Sequence, residues 1–174
     1  MPRRVVFGSL ETPIGRHWVG CSELGVVAIT PGDGPMELLD EIARLAPGAA
    51  CVPDAQPMAA VFDELAGYFS GALHDLGVAL DTRSATPFDT AVWSAVRAIL
   101  YGSTASYGDV AMTIGRPRAA RAVGGALARC PLAPVVPCHR VIHADGSIGG
   151  WGPDIETKRW LLDLEQRGMR RTPP

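Results

Sequence analysis

A cysteine, a histidine and an arginine stand side by side at Cys138, His139 and Arg140, directly after Pro137 and between the apolar pairs Val135-Val136 and Val141-Ile142. A free thiol, with a pKa of about 8.5, is mostly protonated at neutral pH; an adjacent imidazole or another general base raises its thiolate fraction and makes it a nucleophile. His139 is the nearest candidate base for Cys138. Neighbours on an extended strand point to opposite sides, so the pair needs a turn or a bridging water to cooperate, and Pro137 supplies a reason for irregular backbone. A third group should orient the imidazole. Glu165 shares a helical stripe with Lys158, Leu161 and Leu164, which draws its carboxylate inward, where it requires a partner; the competing reading is an exposed acid near a helix end. A metal site is the other chemical rival, since Cys130, Cys138, His139 and His143 fall within fourteen residues. Their spacing matches no common zinc pattern, and no metal is expected.

These residues need elements to hold them. The first thirty positions read as an antiparallel meander: Val5 to Leu10, a turn at Thr12-Pro-Ile-Gly15, His17 to Cys21, and Val26 to Ile29. Met36, Leu38, Leu39, Ile42 and Leu45 predict a helix, a short strand is expected at Ala50-Cys51-Val52, and Val61 to Leu73 carries a second amphipathic pattern. The polar segment Asp81 to Thr86 reads as a linker, giving domains at 1–80 and 86–170. Beyond it, Thr86-Pro-Phe-Asp89 is a helix start with a hydroxyl N-cap, proline at N1 and an acid at N3. Ser106-Tyr-Gly-Asp109 opens a shorter helix that Gly115 can close, and Pro117 opens a third reaching about Arg129. Two short helices across a tight turn predict a helix-turn-helix.

At about 100° per residue, Arg118, Arg121, Gly125 and Arg129 share one stripe of that third helix, opposite Ala120, Val123 and Leu127. A basic stripe can be no more than a solvated face. Gly124 and Gly125 shift the balance, because each costs about 1 kcal/mol against alanine inside a helix and removes bulk where another surface, such as a phosphate backbone, could approach. Charge is divided the same way: residues 1–80 carry 4 Lys+Arg against 10 Asp+Glu, residues 81–174 carry 12 against 8. The basic half points to an anionic partner, with nucleic acid first. No apolar run suits a signal peptide or a membrane span, and the four scattered cysteines do not suggest a secreted disulfide scaffold, so a cytoplasmic protein without membrane contact is expected.

Pro137-Cys-His-Arg-Val141, preceded by Ser106-Tyr-Gly108 and Arg121-Ala-Val-Gly-Gly125 and followed by Trp160-Leu-Leu162 and Glu165, resembles the O6-alkylguanine-DNA alkyltransferases, or methylated-DNA-protein-cysteine methyltransferases. The similarity is close from Thr86 to Gly168 and weaker over the N-terminal half. It implies an α/β protein: an N-terminal ribonuclease-H-like antiparallel sheet with helices, then a mostly helical C-terminal domain with a helix-turn-helix. It implies a monomer, able to act cooperatively, that needs no cofactor and binds the minor groove of double-stranded DNA containing O6-alkylguanine, flips the damaged base and accepts its alkyl group irreversibly, with O4-alkylthymine as a further substrate. Carried over by position, Cys138 is the acceptor, and His139 deprotonates it through a water held with Glu165. Tyr107 binds the flipped base and protonates it, with Val141, Trp151 and Gly152 also lining the substrate site. Arg121 fills the gap in the base stack, while Arg118, Ala122, Gly124, Gly125, Arg129 and Arg140 meet DNA.

The chain departs from the family in two places. Cys130 stands where an asparagine usually braces the turn before the active cysteine, and it cannot make the same hydrogen bonds. A disulfide between Cys130 and Cys138 would switch transfer off, provided the fold brings the two together. The substrate loop reads Gly150-Trp-Gly-Pro-Asp154, with an indole in place of the usual phenol and with Pro153 removing a backbone donor. These changes keep open a second function, a lesion-binding protein that transfers slowly or not at all. Of the zinc ligands in some relatives, only the position of Cys21 is matched.

Overall fold

The computed structural model describes residues 3–149 and 155–171. The chain divides into two compact units, Met1–Ser84 and Ala85–Pro174.

In the first unit, β1 (Arg4–Thr12), β2 (Gly15–Ser22) and β3 (Gly25–Pro31) form the expected meander, with Thr12 opposite Gly15 at the first turn. Helix α1 (Met36–Leu45) then crosses back to deliver β4 (Ala50–Pro53) parallel to β1. The sheet, in the order β3-β2-β1-β4, is therefore mixed, not wholly antiparallel. The reason is the connection: a strand that returns through a helix arrives pointing the same way, whereas a tight turn reverses it. Leu38 and Ile42 of α1 are completely buried and close a core with Val5, Val27, Ala28 and Ala46. Helix α2 (Ala59–Phe69) buries Leu65, Tyr68 and Phe69.

Asp81 does not behave as a linker residue. Its N–H donates to Val26 O (2.8 Å), and its buried carboxylate accepts from Arg3, Ser22 and Arg83, the last through Nε at 3.0 Å and Nη2 at 2.6 Å. Burial pushes this carboxyl up, but the hydrogen bonds from Arg83 and Ser22 together with the charge of Arg3 outweigh it and hold it well below its ordinary value. Polar composition alone signalled a loop; the partners of Asp81, spread over the first 83 residues, make it an anchor of the N-terminal unit.

The second unit is built from α3 (Pro87–Arg97), β5 (Ala105–Ser106), α4 (Tyr107–Thr113), α5 (Ala120–Ala128), β6 (Val141–Ile142) and α6 (Ile155–Arg171). Local chemistry sets most boundaries. Thr86 Oγ1 accepts from Asp89 N (3.1 Å) to cap α3, and Ser106 and Asp109 form a reciprocal capping box on α4. Gly115, at φ +71°, ends α4: its N–H donates to Met112 O and that of Arg116 to Ala111 O, the Schellman pattern that only a residue tolerant of left-handed backbone closes easily. Pro117 does not open α5. Ala119 N instead donates to Arg116 O in a separate turn, so α5 begins at Ala120 and Arg118 lies ahead of the helix. Val92, Trp93 and Val96 of α3 pack with Val123, Ala126 and Leu127 of α5, and Trp93 Nε1 donates to Ala126 O (3.1 Å).

Candidate active site

Pro137 has φ −78° and ψ 64°, and Cys138 N donates to Val136 O (2.7 Å), which is an inverse γ-turn. The next three residues, Cys138–Arg140, form one 3₁₀ turn. The two turns supply the irregularity that a cooperating Cys-His pair needs. Cys138 is 1% exposed and His139 fully buried. After the turn, β6 pairs in parallel with β5, Ala105 opposite Val141 and Ser106 opposite Ile142. Because Tyr107 directly follows β5, this two-residue ladder brings the phenol to the cysteine.

The buried centre is the Glu165 carboxylate. Its Oε1 meets His139 Nε2 directly at 2.7 Å; Arg140 donates through Nε (3.0 Å to Oε2) and Nη2 (3.0 Å to Oε1); Gly102 N donates to Oε2 at 2.9 Å. Burial pushes Glu165 up, but the hydrogen bond and charge of His139 and those of Arg140 overcome it and bring the carboxyl down to about 2. It stays ionised. His139 moves down because burial, with help from the charges of Arg140 and Lys158, outweighs the pull of Glu165. The imidazole is therefore neutral at pH 7. An ionised carboxylate only accepts hydrogen bonds, so Nε2 carries the proton, and Nδ1 is the nitrogen whose lone pair can take one.

Lys158 is completely buried, and its Nζ donates to Val141 O at 2.6 Å. Burial lowers this amine to about 8, opposed by its attraction to Cys138. Tyr107 is half-buried; burial, and then the negative charge that Cys138 can carry, raise its phenol, which keeps its proton as a donor. Its ring lies 5.5 Å from that of His143. Burial, and after it the neighbouring Cys138, push the Cys130 thiol well above its ordinary value.

Other expected residues are placed differently from one another. Arg121 and Ala122 are exposed on α5, and Arg118 is exposed on the preceding turn. Neither helix glycine is demanded by internal packing: a methyl on Gly124 would sit 3.7 Å from the Tyr107 ring, and one on Gly125 would meet only the tip of Arg129. Arg129, at the C-cap of α5, joins Asp89 at 2.7 Å. Arg140 corrects the expectation of a DNA contact: it is 5% exposed, with Nη1 on Ile99 O (2.6 Å) and the rest of its guanidinium on Glu165, so it braces the site from within. Val141 is fully buried and gives its carbonyl to Lys158. Trp151, Gly152 and the rest of the loop Gly150–Asp154 lie outside the described residues. Among the described residues, no cluster of three His, Cys, Asp or Glu side chains is placed to hold a metal ion.

The 6-O-methylguanine DNA methyltransferase DNA-binding domain matches residues 87–167, and the ribonuclease-like domain of the same family matches residues 5–82. The methylated-DNA–protein-cysteine methyltransferase of Mycobacterium tuberculosis is 48% identical over 114 residues, covering 66% of this chain and 68% of the relative; that of Salmonella typhimurium is 38% identical over 165 residues, covering 93% and 96%. The chain belongs to the 6-O-methylguanine DNA methyltransferase family. A crystal structure of Mycobacterium tuberculosis OGT in complex with DNA superposes with a TM-score of 0.80 at 35% identity, covering 95% of this chain and 94% of that one. The two-domain methyltransferase fold expected from the sequence is thus present, with the mixed N-terminal sheet as its one amendment.

Sequence reasoning passed over two site residues. Lys158 was visible only as a cation on an apolar stripe, and its burial beside Cys138 is what gives it a role. His143 entered only as a candidate metal ligand; its tilted ring contact with Tyr107 follows from the β5–β6 ladder, which is too short to leave a pattern.

Proposed function

We propose that the protein repairs DNA directly, moving an O6-alkyl group from guanine in double-stranded DNA onto Cys138, once per molecule. The observation that carries this reading is the assembly of Cys138, His139 and Glu165, with an ionised carboxylate fixing a neutral imidazole beside a buried thiol. The Cys138 proton passes to His139 Nδ1, directly or through a water. The sulfur then attacks the alkyl carbon; the S–C bond forms as the C–O6 bond breaks, and its electron pair returns to the guanine, which takes a proton from Tyr107. The thioether product has no route back to a thiol at this site, so turnover ends there.

The base must leave the helix to reach a thiol this deeply placed, at a cost of a few kcal/mol that is least for a weakened pair. We assign α5 to the DNA. Arg121 enters the stack, Arg118 and Ala122 meet the backbone, and Gly124 and Gly125, free of internal packing demands, admit the minor groove. Arg129 shares its charge with Asp89 and contributes less.

The test is intact-mass analysis after mixing with a duplex containing O6-methylguanine. One methyl group should appear, mapped to Cys138, and none in Cys138→Ala. Tight lesion binding with unchanged mass would contradict transfer and leave a lesion-binding protein.

A further inference from the structure

We infer that His143 is a positioning residue for Tyr107: its imidazole fixes the angle at which the phenol meets the guanine, and so sets how fast the alkyl group leaves. The inference rests on Tyr107 being the proton donor of the proposed reaction. Tyr107 is the first residue of α4, where the capping box of Ser106 and Asp109 holds the backbone but leaves the side-chain torsions to whatever packs against the ring. Helix α5 offers that ring Gly124, which has no side chain; a methyl there would sit 3.7 Å away. The ring-to-ring contact comes from His143, with centroids 5.5 Å apart and planes inclined at 50°.

His143 is exposed, yet the chain around it sets its place. It directly follows β6, and β6 pairs with β5, the strand that ends at Ser106, so one ladder delivers both rings. Beyond His143 the chain reverses. His143 N donates to Ser147 O (3.0 Å), Gly146 N donates to His143 O (3.0 Å), and Asp145 Oδ1 accepts from Ser147 N (2.9 Å) and Oγ (2.7 Å). The return brings Gly149, at φ +70°, against the imidazole: a Cβ on Gly149 would lie 2.6 Å from Nε2 and 2.7 Å from Cδ2. Glycine is required there twice over, by its left-handed backbone and by the closeness of the ring. With backbone this near, the imidazole is held in its contact with Tyr107 although solvent reaches it. His143 takes no proton in this scheme. It acts on the reaction only through the geometry of the phenol, and a general acid works only when it is within hydrogen-bond reach of the atom it protonates.

Single-turnover alkylation by free O6-benzylguanine, followed over a range of concentrations, separates this role from a structural one. His143→Ala should lower the limiting rate by about tenfold, part of the roughly 10²-fold that a 1 Å misplacement can cost. The half-saturating concentration should stay nearly unchanged, because the interaction lost is made only in the transition state. In Tyr107→Phe, which keeps the ring but has no proton to give, adding His143→Ala should change nothing further. A general disturbance of the site would instead slow both backgrounds alike. Two results would overturn the inference: a limiting rate unchanged in His143→Ala, or the same fold loss with Tyr107 and with Tyr107→Phe. A wild-type protein that accepts neither benzyl from the free base nor methyl from an O6-methylguanine duplex would overturn the repair reading and this inference with it.

Discussion

Each unit of the molecule holds a carboxylate buried almost completely and met by arginine: Asp81 in the N-terminal unit, 3% exposed, and Glu165 in the C-terminal, 1% exposed. Both are held by guanidinium groups and by further donors, and both remain ionised well below the usual range. They differ in two respects. Asp81 is met by Arg3, whose side chain is 18% exposed, and Arg83, 45% exposed, so water reaches its partners; Arg140, the partner of Glu165, is 6% exposed. And Asp81 has no partner that titrates near neutral pH, whereas Glu165 holds His139. The same device therefore fastens a fold in one place and sets the protonation of His139, the proposed general base, in the other. A buried ion pair by itself signals neither role; what identifies a site is the third group attached to it.

The comparison can be broken most forcefully at the carboxylates. Glu165→Gln leaves the Arg140 guanidinium without a counter-charge in a dry interior and should lower stability by about 3–5 kcal/mol. Asp81→Asn should lose only about 1.5–3 kcal/mol, because Arg3 and Arg83 can hydrate. Chemical denaturation of the two variants checks the order, and an equal loss would mean that partner exposure is irrelevant here.

Acid should next separate the units. His139 is lowered from 6.5, so the unfolded chain binds a proton that the folded C-terminal unit refuses, and stability falls as pH drops below about 6.5. Glu165 acts in the same direction further down, its contribution being lost between the ordinary value of 4.5 and about 2. Asp81 has no such neutral-range component and weakens only below 3.8. Amide hydrogen exchange, corrected for intrinsic rates, should show the C-terminal unit losing protection between pH 7 and 5.5 while the sheet around Asp81 holds. Simultaneous loss would contradict the assignment of His139 as buried and neutral.

A smaller effect is expected on the DNA face. Arg121→Ala should slow repair of duplex DNA by about tenfold, the equivalent of 1.4 kcal/mol of lost support for the flipped base, and leave the reaction with free O6-benzylguanine nearly unchanged. Single-turnover rates on the two substrates decide it; equal losses would remove Arg121 from the base stack. Smallest of all, Arg129→Ala breaks a half-exposed pair with Asp89 and should cost under about 1 kcal/mol.

What could be read from the chain was local or periodic. Thr86 and Asp89, Ser106 and Asp109, and Gly115 fix helix ends through bonds spanning a few residues, and the α6 stripe placed Glu165 inward. Contacts distant in sequence left no trace. The family resemblance put Arg140 at the DNA, and only Glu165, 25 positions on, makes its burial tolerable. Asp81 read as linker because its partners begin at Arg3. The β5–β6 ladder, two residues long, carries no alternation, yet it sets Tyr107 beside the cysteine. Cys130 stood out only as a departure from a pattern.

The central claim, that Glu165 and His139 make Cys138 reactive, is tested most directly by the single-turnover rate of Cys138 alkylation with free O6-benzylguanine, a substrate that needs no flipping, in wild type and in folded Glu165→Gln at pH 7. Removing the group that fixes the general base should slow alkylation by about 10²-fold or more. Equal rates in the two proteins would contradict the account.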